Sequence, residues 1–221
     1  WAPALTKHTV PDEELLAKKK FCNFVVSNDY SNERNEFFAA LNAHRPVDSG
    51  GGYMNNIGGP VTDKLAFQRG YKFSIAYENI RGPGYCTEKI VDAFAAATVP
   101  IYWGAPDVKQ EFNPAAFLCA DDYPDTAAQI AAIDEIDRDD EKFLAMCHAP
   151  ILAPDGSSRA ARYVTDEACA EFLTGIFGKG PHLRRNRSCW GSIYEGDWKY
   201  YRRLAEADRK PKGLLQRILG R

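Results

Sequence analysis

The segment from Tyr71 to Gly104, YKFSIAYENIRGPGYCTEKIVDAFAAATVPIYWG, constrains the fold more than any other part of the chain. Tyr71, Phe73, Ile75 and Tyr77 alternate with Lys72, Ser74 and Ala76, the period of a strand. Arg81-Gly82-Pro83-Gly84 continues neither strand nor helix and predicts a turn. Thr87 is placed to cap a helix by accepting from backbone N–H groups, and Ile90, Val91, Phe94 and Ala97 then recur at helical spacing. Thr98 to Trp103 reads as a second buried strand. Strand, helix and strand in this order form one βαβ unit, which requires a parallel sheet.

The flanking sequence extends the pattern. Phe21 to Ser27 reads as a strand, and Asn32 to Ala43 as a helix with Phe37, Phe38 and Leu41 inward. Ala116 to Ala120 reads as a short strand. Thr126-x-x-Gln129 fits a capping box opening a helix through Ile136, and Glu141 to Ala149 continues as helix until Pro150. The alternation predicts an α/β domain. Ser49 to Gly52 and Gly58-Gly59-Pro60 frame a glycine-rich loop without dinucleotide or P-loop spacing. It reads as a flexible surface loop, and its place after the Arg34 helix also fits a mobile flap. At 221 residues, 45% apolar and 26% charged, the chain has room for one ordinary domain and a tail.

The chemistry concentrates where the first strand of the unit ends. Ligands of open parallel sheets bind outside the carboxyl ends of the strands. Glu78 and Asn79 stand there, and Glu88 and Lys89 occupy the first turn of the following helix. A first-turn lysine opposes the helix dipole unless an anion lies beside it, which hints at phosphate. Singly, each residue has an ordinary structural reading; the ordered combination is the signal. Asp121-Asp122 and Asp139-Asp140 read as solvated pairs, and the four histidines are scattered, so no metal site is predicted.

The combination resembles the donor-binding signature of the α-1,3/1,4-fucosyltransferase family, bacterial type. The matching residues are Phe73, Glu78-Asn79, Tyr85-Cys86-Thr87-Glu88-Lys89 and Val99-Pro100-Ile101-Tyr102-Trp103-Gly104. Phe24 to Asn28, Arg34 and Phe112-Asn113-Pro114 extend the resemblance over about residues 20–150. Cys86 stands where valine is common, a small change between two apolar residues.

The resemblance implies a Rossmann-like parallel sheet flanked by helices, the C-terminal half of a GT-B glycosyltransferase, and inverting transfer of L-fucose from GDP-fucose. The acceptor is a GlcNAc or glucose hydroxyl of a glycan, such as N-acetyllactosamine or a lipopolysaccharide O-chain. It assigns Arg34 and Lys89 to the leaving-group phosphates, Glu88 to the ribose, and Asn79 and Tyr85 to the donor-site lining. It gives Glu78 either a fucose contact or the orienting of the loop. No metal or other cofactor is required, a divalent cation being at most stimulatory. On this reading residues 1–20 are a linker or remnant, 21–180 the GDP-fucose-binding domain and 181–221 a helical basic tail. The family's acceptor domain, with its general base, has no counterpart here. The chain is then either a fragment, expected to bind donor but transfer poorly alone, or a non-catalytic nucleotide-sugar-binding, membrane-associated module.

Six cysteines without a CxxC pair point to free thiols and a reducing, cytoplasmic setting. Residues 184–221 carry 11 Lys/Arg against 4 Asp/Glu, while the remainder carries 17 against 26. Trp190, Tyr194, Trp198, Tyr200 and Tyr201 interleave with these basic residues, and Leu214, Leu215, Ile218 and Leu219 make an apolar face. Two readings stand: a tail lying peripherally on an anionic membrane surface, and a helix packing back on protein. Without an RNA-binding motif, nucleic acid is not an expected partner.

Overall fold

Both faces of β3 (Tyr71–Tyr77) are buried, as expected of a central strand with helices on either side. It is the middle strand of a five-stranded sheet in the computed structural model, which describes residues 10–153, 155–162, 165–178 and 200. β1 (Lys20–Phe24) and β4 (Val99–Trp103) flank it. β2 (Val47–Ser49) lies outside β1, and β5 (Leu118–Cys119) outside β4. Every pairing is parallel, with Phe24 opposite Ile75 and Ile75 opposite Ile101 at the centre.

The helices are α1 (Asp12–Leu16), α2 (Asn32–His44), α3 (Lys64–Gln68), α4 (Glu88–Ala95), α5 (Val108–Glu111), α6 (Thr126–Arg138), α7 (Asp140–His148) and α8 (Asp166–Phe177). On one sheet face, Phe24, Ile75, Tyr77, Ile101 and Leu118 pack with Phe37, Phe38 and Leu41 of α2, Ile133 of α6 and Phe143 of α7. Phe24 and Phe38 stack with ring centroids 4.5 Å apart. On the other, Ala76, Tyr102 and Cys119 pack with Ile90 and Val91 of α4 and Val108 of α5. Burying each such aromatic or branched side chain contributes roughly 1.5–3 kcal/mol. Toward the amino ends of the strands that second face turns polar and bonds internally, with only Gln68 Oε1 left without a partner among the described residues of this cluster. The Asn23 amide donates to the Ser74 hydroxyl at 2.7 Å, and Thr98 donates to the same hydroxyl at 2.8 Å. The chain divides into two compact units, residues 1–171 and 172–221, and the sheet belongs to the first.

The parallel Rossmann-like sheet flanked by helices is as expected; several local expectations are corrected. The short strand is Leu118–Cys119, because Pro114–Ala116 forms a 3-10 turn first. The α6 cap is Asp125, which accepts from the Ala128 N–H, and Gln129 is buried instead of closing a capping box. Gly50 and Gly51 are buried, while Gly52, Met54 and residues 56–58 further along the same loop are exposed. A Cβ on Gly51 would stand 1.9 Å from the Val26 carbonyl oxygen, so glycine serves close approach there. Asp121 and Asp122 pair with Arg81 and Lys109, and Asp139 caps α7. His44 and His148 meet Asp134 and Asp12 at 2.7 and 2.6 Å. Within the stretch read as a linker, α1 buries Leu15, and the Lys18 ammonium donates to the carbonyls of Tyr71, Ala96 and Ala97. The five described cysteines are free thiols. The basic tail, apart from Tyr200, lies outside the described residues.

Candidate functional site

From β1 the chain runs outward to β2, then returns to β3 on the other side of β1. Connections leaving β1 and β3 therefore diverge, and a crevice opens at their carboxyl ends. Arg34 and Asn79 meet across it. Arg34 sits in the first turn of α2, whose N-cap Ser31 accepts from the Arg34 N–H. Its side chain is driven inward, leaving the residue 1% exposed. One guanidinium nitrogen donates to the Asn79 side-chain oxygen. The other donates to the Asn28 carbonyl at 2.6 Å and to the Asn28 side chain at 3.2 Å. Nε is buried without a partner among the described residues. Burial lowers the Arg34 pKa, and the Glu78 charge opposes that shift.

Glu78, next along the chain, organises the opposite wall. It is fully buried, and its backbone N–H donates to the Trp103 carbonyl at 2.8 Å. Its carboxylate accepts from the Thr87 N–H at 2.7 Å, from the Thr87 hydroxyl at 2.7–2.9 Å, and from the Lys89 ammonium at 2.8 Å. The anion beside Lys89 is thus Glu78. Thr87 occupies the N-cap position of α4, but its hydroxyl turns to Glu78 and makes no cap bond, contrary to the sequence expectation. The first-turn N–H groups of α4, which lie beside a lysine, consequently receive no cap bond from Thr87. Glu88 is half exposed. Lost hydration pushes its pKa up, but its own backbone N–H and the Lys89 charge outweigh that and hold it below the usual carboxylate range.

The intervening loop is anchored at several points. Arg81 makes two hydrogen bonds to Asp121, at 2.8 and 2.9 Å. The Gly84 N–H donates to Asp107 at 2.8 Å, and Asp107 also meets Arg159 at 2.5 Å. Tyr85 is half-buried in this loop; its carbonyl accepts from Tyr102 at 3.5 Å, and its phenol makes no hydrogen bond among the described residues. Two cations, an uncapped helix start and an anchored loop at a sheet's switch point are suited to an anionic, phosphate-bearing ligand. The larger cavity of about 420 Å³ lies elsewhere, at the amino ends of the strands around Lys18 and Thr98.

Residues 15–148 match the C-terminal domain of glycosyltransferase family 10, the fucosyltransferases. The chain belongs to this family. It is 39% identical over 150 residues to the α-(1,3)-fucosyltransferase FucT of Helicobacter pylori, covering 67% of this chain and 31% of that one. It is 30% identical over 142 residues to the human 4-galactosyl-N-acetylglucosaminide 3-alpha-L-fucosyltransferase FUT5, covering 62% and 37% respectively. Its fold resembles a crystal structure of an α1,3-fucosyltransferase with GDP-fucose at a TM-score of 0.68 and 36% identity, over 80% of this chain and 52% of that one. A crystal structure of an α1,3-fucosyltransferase with GDP gives 0.66 at the same 36% identity. The chain thus spans about a third of the H. pylori relative and half of the crystallised one. This is the GT-B type of fold that the sequence motifs implied.

The family motif residues converge. Arg34, Glu78, Asn79 and Lys89 are joined by direct bonds and chain adjacency, and Tyr85 and Glu88 lie on the loop and helix beside them. The sequence reading missed three contributors. Asn28 closes the FVVSN segment and holds Arg34 through its carbonyl, which side-chain chemistry does not advertise. Gly104 lacks a Cβ that would stand 2.5 Å from Glu78 Cγ. Arg159 supports Asp107 from 52 positions away, beyond any local motif.

Proposed function

We propose that this chain supplies the GDP-fucose-binding part of an inverting fucosyltransferase that acts on a GlcNAc or glucose hydroxyl of a glycan, such as N-acetyllactosamine or a lipopolysaccharide O-chain. The observation that carries the reading is the convergence of Arg34, Asn79 and Lys89 at the β1/β3 switch point beside the uncapped start of α4. As the glycosidic bond of the donor breaks, negative charge builds on the leaving diphosphate. Arg34 and Lys89 oppose that charge from fixed positions, so little reorganisation is needed in the transition state. Glu88 accepts from a ribose hydroxyl, and Asn79 and Tyr85 line the donor. Glu78 orients the loop, since both carboxylate oxygens are already engaged. No metal is required, a divalent cation being at most stimulatory, and the general base that deprotonates the acceptor is not assigned to these residues. The basic aromatic tail docks on an anionic membrane face in the cytoplasm, a reading supported by its charge and apolar periodicity.

Calorimetric titration with GDP-fucose, GDP and UDP tests the donor assignment. Guanine-selective binding is expected, weakened by roughly 1.5–3 kcal/mol in Lys89→Ala, the scale of a charge-assisted contact. Absence of binding in a folded chain overturns it. Donor binding that never leads to transfer, even with an acceptor-binding domain supplied, would identify a non-catalytic nucleotide-sugar-binding module.

A further inference from the structure

A second cavity, about 270 Å³, opens on the α2/α6 face of the sheet at the carboxyl ends of β3 and β4. One wall is an aromatic ladder. Phe37 stacks on Tyr77 at 4.5 Å and 18°, and Tyr77 on Trp103 at 6.0 Å and 26°. Glu33 and Glu36 line it from the exposed side of α2, and neither carboxylate has an ion-pair or hydrogen-bond partner among the described residues. Gln129 lines it from α6 and is only 2% exposed. Its Oε1 accepts from the Tyr77 hydroxyl at 2.8 Å, while its Nε2 has no partner among the described residues. A buried amide with an unused donor is rare in native proteins unless something completes it.

These groups select by chemistry. The unpaired carboxylates disfavour a ligand that brings phosphate, and they suit one that brings hydroxyl donors. The free Gln129 N–H suits a hydroxyl, ring-oxygen or acetamido-carbonyl acceptor. Half-buried Trp103 offers an aromatic surface to a C–H-rich ring. A pyranose presents all three features at once, without charge. We propose that this cavity binds a neutral pyranose residue, and that in catalysis this residue is a unit of the acceptor glycan. The binding stands on the cavity alone; the acceptor role rests on the fucosyl-transfer reading above.

The test is saturation-transfer NMR on the full 221-residue chain with N-acetyllactosamine as probe, with GDP titrated in parallel. Wild type, Gln129→Leu and Glu36→Ala are compared, the last being a solvent-exposed change that spares the core. Saturation transfer to the sugar ring protons is expected, with affinity falling about fivefold or more in each variant and GDP affinity unchanged. No sugar signal from a chain that binds GDP overturns this inference and leaves the donor reading intact. Sugar binding without GDP binding does the reverse. GDP affinity that falls in Gln129→Leu and Glu36→Ala assigns the cavity to the nucleotide and overturns the inference.

Discussion

Glu78 and Lys89 form an ion pair 2.8 Å long, with the carboxylate fully buried and the lysine side chain 12% exposed. A lysine in the first turn of a helix is disfavoured by the dipole, and here its counter-charge comes from the end of a strand 11 residues upstream. The protein thus sets the position of Lys89 before any ligand arrives. Part of the ammonium's donor capacity goes to Glu78 and Thr87, and the rest is open to the proposed phosphate.

Breaking that pair from one side leaves an uncompensated charge in a desolvated place. Glu78→Gln and Lys89→Met are each expected to cost about 3–5 kcal/mol, the scale for one partner of a buried pair. The double variant should lose clearly less than the sum. Urea unfolding of all four proteins measures the coupling, and additive losses would mean that the two charges do not interact.

Gly104→Ala places a Cβ 2.5 Å from Glu78 Cγ and 2.9 Å from the Tyr102 hydroxyl. Glu78 has no free volume to retreat into, so a stability loss of about 1–3 kcal/mol is expected, as in overpacked cores. GDP affinity should drop with it, because Glu78 carries Thr87 and Lys89. A variant with wild-type melting and binding would show that Glu78 is not held by this contact.

Arg34→Lys keeps the charge and removes the fork. A single ammonium cannot reproduce the guanidinium geometry that engages Asn79 and Asn28 together. GDP binding by calorimetry should weaken about 10- to 100-fold, the equivalent of one or two charge-assisted hydrogen bonds. Retained affinity would remove Arg34 from the proposed phosphate site.

Lys18 gives a pH signature at the far end of α4. Burial pulls its pKa down to about 8, while Cys147 and Glu14 oppose the shift. Because the folded value lies below the unfolded one, the folded state binds fewer protons than the unfolded state between about pH 8 and 10.5. This group therefore adds to stability as pH rises through that window, with a slope of at most about 1.4 kcal/mol per pH unit. Lys18→Met should flatten the slope relative to wild type in urea unfolding at pH 7.5, 8.5 and 9.5, to within about half a unit. Equal slopes would refute the shift.

The legible parts of this protein are those in which one residue's role follows from its near neighbours. Alternation marked β3, a buried apolar run marked β4, helical spacing marked α2 and α4, and the family motif drew Arg34, Glu78, Asn79, Tyr85, Glu88 and Lys89 to one region. β2 escaped because a three-residue strand carries too little periodicity to be seen. Thr87 was misread because its hydroxyl had two possible partners, the local backbone and a distant carboxylate, and only the folded chain brings Glu78 within 2.7 Å. Gly51 looked like freedom and is close approach.

By itself the sequence determined the period and order of the elements, hence a parallel α/β sheet, and the residue types available for phosphate chemistry, because these depend on separations of a few residues. The tertiary structure alone decided which charges neutralise one another, that Asn28 and Asn79 hold Arg34 across the crevice, and that Gln129 faces the aromatic ladder. The Arg34–Asn79 and Tyr77–Gln129 pairings join positions 45 and 52 residues apart, and Asn28 acts through its backbone carbonyl. A hydrogen bond's partner is set by proximity in space, which no local pattern of side chains encodes.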